Sequence, residues 1–211
     1  MSERKVSSNV VKIAQALGFL LALDENHKMN KVKLVKLLWA ADRLHIRKYG
    51  RMISDADDYY AMTHGPVCSL ALDIAQMSKD RIAFSDDDIE YLEDYFTSDD
   101  RDTSMQKEVG DNYLSDTDKE ALTKAWELFK DKEAFDLADN ISHKYPEWAR
   151  YADYFKNNGG RKHIFTEDFF ENPENDEYFK EDRESLEAAR EYYLENQAAK
   201  RELNEILGVS A

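Results

Sequence analysis

Cys68 has no second cysteine to pair with, so no disulfide forms within the chain and a reducing compartment, the cytoplasm, is expected. Glycine is scarce, seven in 211 residues, and never spaced as G-x-G-x-x-G, which excludes the phosphate-cradling loops of nucleotide-binding folds. No run of 18 apolar residues occurs. The longest, ALGFLLAL, is too short to span a bilayer, and no membrane partner is expected. The opening MSERKVSSNVVK lacks an apolar stretch ending in small residues, so export is not expected either. Basic residues are outnumbered, 29 Lys/Arg against 44 Asp/Glu for a net charge of −15, which argues against nucleic acid as the main ligand. None of the five histidines forms H-x-x-x-H or stands near a CxxC, so neither a metal nor another cofactor is expected.

What is present points to a folded core. Hydrophobic residues make up 42% and aromatics 12%, too apolar for a disordered chain. Charge is unevenly spread. Residues 1–50 hold ten Lys/Arg against four Asp/Glu, whereas residues 166–211 hold five against fourteen. Three explanations stand: the acidic tail docks on the basic start, it faces a basic partner, or it keeps the chain soluble.

Helical periodicity dominates. SSNVVKIAQALGFLLALD places Val10, Ile13, Leu17 and Leu20 or Leu21 on one side. KVKLVKLLWAADRLHIRKYG repeats Leu34, Leu37, Leu38, Ala41 and Leu44, with Asn30 as cap and Gly50 as stop. YYAM suits a short strand. A helix is predicted from Val67 to Met77 with Pro66 at its start, another over 86–96, and a capped one after Ser115 and Asp118. TSDDRDTSMQKEVGDNY reads as one or two weak edge strands, near 104–109, or a loop. AFDLADNISHK and PEWARYADYFK read as further helices, Asn157–Gly160 as a linker, and Asp176–Leu207 as one long helix. The fold class is mainly α, a compact multi-helix domain with a minor antiparallel β element and a long C-terminal helix. The domain limits are 1–156 and 157–211.

Two constellations carry possible chemistry. His64 lies four residues before Cys68, but Gly65 and Pro66 intervene and no nucleophile signature surrounds the pair. The segment reads more simply as an elbow, with Gly65 permitting a positive φ, Pro66 fixing the next one and Ser69 near the following first turn. Asp42 and His45, three apart on one helix, reach one ion or one hydrogen-bond partner; alternatively His45 is held by Asp42 or by a backbone carbonyl. No nucleophile, metal set or phosphate loop accompanies them, so an enzyme is not expected.

Four stretches in order, KLVKLLWAADRLHIRKYGR (33–51), YYAMTHGPVCS (59–69), LSDTDKEAL (114–122) and ISHKYPEW (141–148), resemble the Panacea domain of the SocA-like antitoxin family over about residues 8–156. The matching positions are Lys33, Leu37, Asp42, His45, Tyr49, Gly50 and Arg51, then Ala61, His64, Gly65, Pro66 and Ser69, then Ser115, Asp118, His143, Pro146 and Trp148. Two departures stand out. Cys68 replaces the family's usual proline or small residue, and ISDADDY is about one residue longer than the usual turn.

The resemblance implies a mostly helical antitoxin that neutralises a cognate protein toxin by direct binding. Alternatives are a phage- or prophage-encoded accessory protein that binds another host factor, or a proteolytic adaptor for the toxin. Asp42, His45, His64 and His143 are expected to form the motif's polar cluster, the first three bracing the elbow against the second helix. In the tail, Tyr178, Phe179, Leu186 and Tyr193 with Glu187 and Glu191 are candidate partner-binding residues. Docking on the parent domain or on a second copy, giving a homo-oligomer, remains open.

Overall fold

The computed structural model describes residues 5–55, 58–78 and 84–208. Helix α1 (Ser8–Ala22) buries Val10, Ile13, Leu17, Leu20 and Leu21. After strand β1 (Lys28–Asn30), helix α2 (Lys31–Tyr49) runs through the centre of the molecule. The Asn30 side chain accepts from the amides of Val32 and Lys33, and Gly50 closes the helix in the left-handed region at φ 68°. Both ends of α2 therefore lie where its sequence places them.

The next segment departs from expectation. β2 (Tyr59–Met62) pairs antiparallel with β3 (Gly65–Cys68) as a tight hairpin turned at Thr63 and His64. Helix α3 (Ser69–Ala75) starts three residues after Pro66. Pro66 is thus a strand residue rather than the first residue of a helix. β3 lies at the edge of its sheet, where a residue without an N–H costs no ladder bond. β6 (Lys162–His163) completes the order β3-β2-β6.

Helix α4 (Asp86–Tyr95) and helix α5 (Asp116–Phe129) each begin with a reciprocal capping box, Ser85 with Asp88 and Ser115 with Asp118. Between them β4 (Phe96–Ser98) and β5 (Asp102–Met105) pair, and β5 also pairs with β1, giving the order β1-β5-β4. The polar stretch after Phe96 is therefore a small sheet, positioned slightly earlier than predicted.

AFDLADNISHK winds as a π-helical turn (Asp136–Ile141) followed by a 3-10 turn (Ser142–Lys144). Pro146 does open a helix, but PEWARYADYFK divides into α6 (Pro146–Ala149) and α7 (Ala152–Phe155). The last helix, α8 (Arg183–Leu207), starts seven residues later than predicted, where the Asp182 carboxylate accepts the Ser185 amide at 2.9 Å. The fold is mainly α, with two small antiparallel sheets and a long C-terminal helix.

Ile164, Phe169, Phe170, Phe179, Ala189 and Tyr193 belong to the same apolar core as Leu17, Leu37 and Leu122. Residues 157–160, read as a linker, are exposed. The lengthened turn ISDADDY includes residues 56 and 57, which lie outside the described residues.

Candidate functional site

Every residue of α2 from Leu34 to Arg47 is buried, although this stretch carries Lys36, Asp42, Arg43, His45 and Arg47. Buried charges must be paired or hydrogen-bonded, because an uncompensated one is too costly. Each of these side chains fastens α2 to chain outside the helix.

Arg43 and Trp39 share one acceptor. Arg43 Nη1 donates to Glu147 Oε2 at 2.7 Å and Trp39 Nε1 to Glu147 Oε1 at 2.9 Å, with both charged side chains fully buried. The guanidinium also stacks over Tyr145 at 4.5 Å and donates to the Glu171 carbonyl. Arg47 binds the chain around residues 169–179. It donates to the carbonyls of Phe169 at 3.0 Å and Phe179 at 3.1 Å and to the Asn172 side chain. Burial first and the nearby Arg43 second lower its pKa to about 10.

Asp42 accepts the Tyr59 hydroxyl at 2.6 Å and the Ser54 amide at 3.0 Å. Burial raises this carboxyl to about 6, against the opposing pull of those bonds. His45 lies between the Arg51 carbonyl (2.8 Å from Nδ1) and Thr117 Oγ1 (3.0 Å from Nε2), with Asp118 Oδ1 3.2 Å away. Burial lowers its pKa. Of the two sequence readings of His45, the structure shows the one with a backbone carbonyl partner.

The expected cluster of Asp42, His45 and His64 does not form. Asp42 and His45 bind separate partners, and His64 is exposed at the hairpin turn. Its Nδ1 lies 3.1 Å from Asp139 Oδ1, and its ring meets Phe135 edge-on at 5.3 Å. The reason is the hairpin itself, which carries His64 past the sheet edge rather than back onto α2. His143 stacks on Trp148 at 3.4 Å with ring planes 3° apart. Burial lowers it to about 4, although Asp139 opposes the shift. Asp139 therefore joins His64 and His143, which the spacing alone did not reveal. Among the described residues no group of His, Cys, Asp or Glu side chains has the arrangement of a metal site.

His64→Ala therefore removes an exposed pair and is expected to change stability by no more than about 0.5 kcal/mol. A urea titration checks this; a loss above about 1 kcal/mol would show a structural role that the exposed position does not provide.

Beneath the hairpin lies Lys36, the missing member of this region. Its Nζ donates to the Pro66 carbonyl at 2.5 Å. Burial lowers its pKa to about 7, with Asp139 opposing the shift. In the unfolded chain the same amine titrates near 10.5. Between about pH 7 and pH 9 the unfolded state thus holds more protons than the folded state, and this group makes stability rise with pH. Asp42 and His143 titrate below that window. Urea midpoints are expected to rise across it for the wild-type chain and to stay flatter for Lys36→Met. Equal slopes would contradict the buried, weakly paired amine.

Gly65 and Pro66 begin β3, the hairpin's second strand, and Ser69 opens α3 with its amide donating to the Asp58 carbonyl at 3.1 Å. Cys68 is buried at the strand end, where burial first and the Asp58 carboxylate second push its thiol well above the usual range. It is a packed thiol without thiolate character.

In the tail, four of the six candidate partner-binding residues face inward, wholly or in part. Phe179 packs against Trp39 and Tyr145, Tyr193 against Phe170, Tyr178 against Phe129, and Leu186 against the core edge. Glu187 and Glu191 are exposed, Glu187 accepting from Arg183. Pairing in this region is set by packing of α8 on the end of α2: a Cβ at Gly50 would lie 2.5 Å from the Ala189 carbonyl.

Among the described residues no helix is long and apolar enough to cross a membrane. The family model described as "Antitoxin SocA-like, Panacea domain" matches residues 34–149, from the first buried turn of α2 to the end of α6. No curated protein and no solved structure matches the chain.

Proposed function

The chain belongs to the SocA-like Panacea family of antitoxins, and from that premise we propose that it is the antitoxin of a toxin–antitoxin pair, acting in the cytoplasm by binding its cognate protein toxin directly. The family match is the observation that carries this reading. The side-chain chemistry supports it. The motif residues Asp42, His45, Gly65 and Trp148 hold segments of the body in place, as a binding scaffold needs, and Cys68 is a protonated, enclosed thiol. The net charge of −15 favours a basic protein over nucleic acid. No enzymatic step and no cofactor is part of the reading.

The test is co-expression. The product of the reading frame beside this gene is expected to arrest growth alone and to be harmless when this chain is present. Arrest that persists at matched expression would refute the antitoxin role.

A further inference from the structure

The outer side of α8 has a composition that none of the inward contacts explains. At about 100° per residue, Ala189, Tyr193, Leu186 and Gln197 share the side turned to the body, where Ala189 and Tyr193 are buried. The adjacent side lines up Tyr192, Ala199, Leu203 and Ile206, with Leu207 beside them. These are large apolar groups in water: Tyr192 is 53% exposed, Leu203 54%, Leu207 64% and Ile206 81%. Beyond this stripe lie Glu184, Glu187, Glu191, Glu195, Glu202 and Glu205, all exposed and on one side of the helix, and Arg183, Arg190 and Arg201 line the edge of that ridge away from the stripe, Arg183 pairing with Glu187 at 2.7 Å.

We infer that this outer face of α8, centred on Leu203 and Ile206 and flanked by the glutamate ridge, is the surface that seats in an apolar groove with a Lys/Arg rim on the partner protein. The inference rests on the antitoxin reading and names the toxin's groove as the occupant. An apolar helix stripe laid in a groove is a recurrent recognition mode, and a ridge of one sign steers and orients a partner of the other.

A second copy of this chain fits the face poorly. Its basic start is already used internally: Lys36, Arg43 and Arg47 are buried among their own partners. Lys12 pairs with Asp55, Lys28 with Asp99 and Asp102, and Lys48 with Glu120. Two copies of α8 laid face to face would set glutamate ridge against glutamate ridge, a like-charge juxtaposition in a chain of net charge −15.

The test uses the full chain and the purified product of the neighbouring reading frame, followed by calorimetric titration and growth rescue. Two variants are made, Leu203→Asp with Ile206→Asp, and Glu195→Lys with Glu202→Lys. Both change exposed side chains, so circular dichroism and melting should match the wild type. The first variant is expected to weaken binding by at least about 30-fold, the effect of losing central anchors. The second should weaken binding at low salt, with the deficit shrinking as salt rises. Wild-type affinity in both variants overturns the assignment. So does loss of self-association in the first variant with binding retained, which would make a second copy the occupant. Failure of the wild-type chain itself to bind refutes the antitoxin reading, a distinct result from failure of the variants alone.

Discussion

Glu147→Ala is expected to cost about 3–5 kcal/mol of stability, the range for breaking a buried ion pair by removing one partner. The carboxylate accepts from Arg43 and from the Trp39 indole, and neither charged side chain touches water. Alanine leaves the guanidinium enclosed with the Glu171 carbonyl and the Tyr145 ring as its remaining company. The penalty comes from that stranded charge rather than from the lost attraction. Replacing both partners, Arg43→Met with Glu147→Leu, should therefore recover a large part of the loss. Urea unfolding with unchanged m-values measures Glu147→Ala, the singles Arg43→Met and Glu147→Leu, and the double variant on one scale. A Glu147→Ala cost below about 1 kcal/mol, or a double variant worse than the sum of the singles, would contradict this account of α2.

Gly65→Ala is expected to be nearly as damaging, at about 2–5 kcal/mol, for two separable reasons. The residue sits at φ 93°, in a region that side chains rarely adopt. A Cβ there would also collide with Ser142 Oγ and lie 2.9 Å from Lys36 Nζ. Gly160 separates the two effects, because it has nearly the same φ, 89°, with nothing within 4 Å of an added Cβ. Gly160→Ala should show the strain alone. The difference between the two variants, about 1–3 kcal/mol, is the overpacking at the hairpin. Equal costs would mean that the close approach of β3 to Lys36 and Ser142 is not a constraint.

Local signals were legible in the sequence wherever the cause was local. Asn30 and Gly50 bound α2, and Ser115 with Asp118 opens α5, because caps act within a few residues. Pro66 misled, since a proline suits an edge strand as well as a first helical turn, and only pairing with Ala61 decides between them. The charged residues of α2 were visible, but their fates were not. Arg43 meets Glu147 across 104 positions, and Arg47 meets Phe179 across 132. Nothing in a 19-residue helix says which distant segment will satisfy it. The tail was misread for a related reason. Tyr178 and Phe179 precede the helix start at Arg183, so a helix read from Asp176 put these inward-packed residues on one element with the exposed Glu187 and Glu191. Within α8, Tyr193 is buried against Phe170, whereas its neighbour Tyr192 lies beside Gly50 with half its surface in water.

The central claim is neutralisation by direct contact. Titrating the purified chain with the purified product of the neighbouring reading frame, while following that product's toxic activity in the same samples, tests it in one measurement. The account predicts a saturable complex whose formation runs parallel to the loss of toxic activity. Full protection of cells with no complex in solution would contradict it.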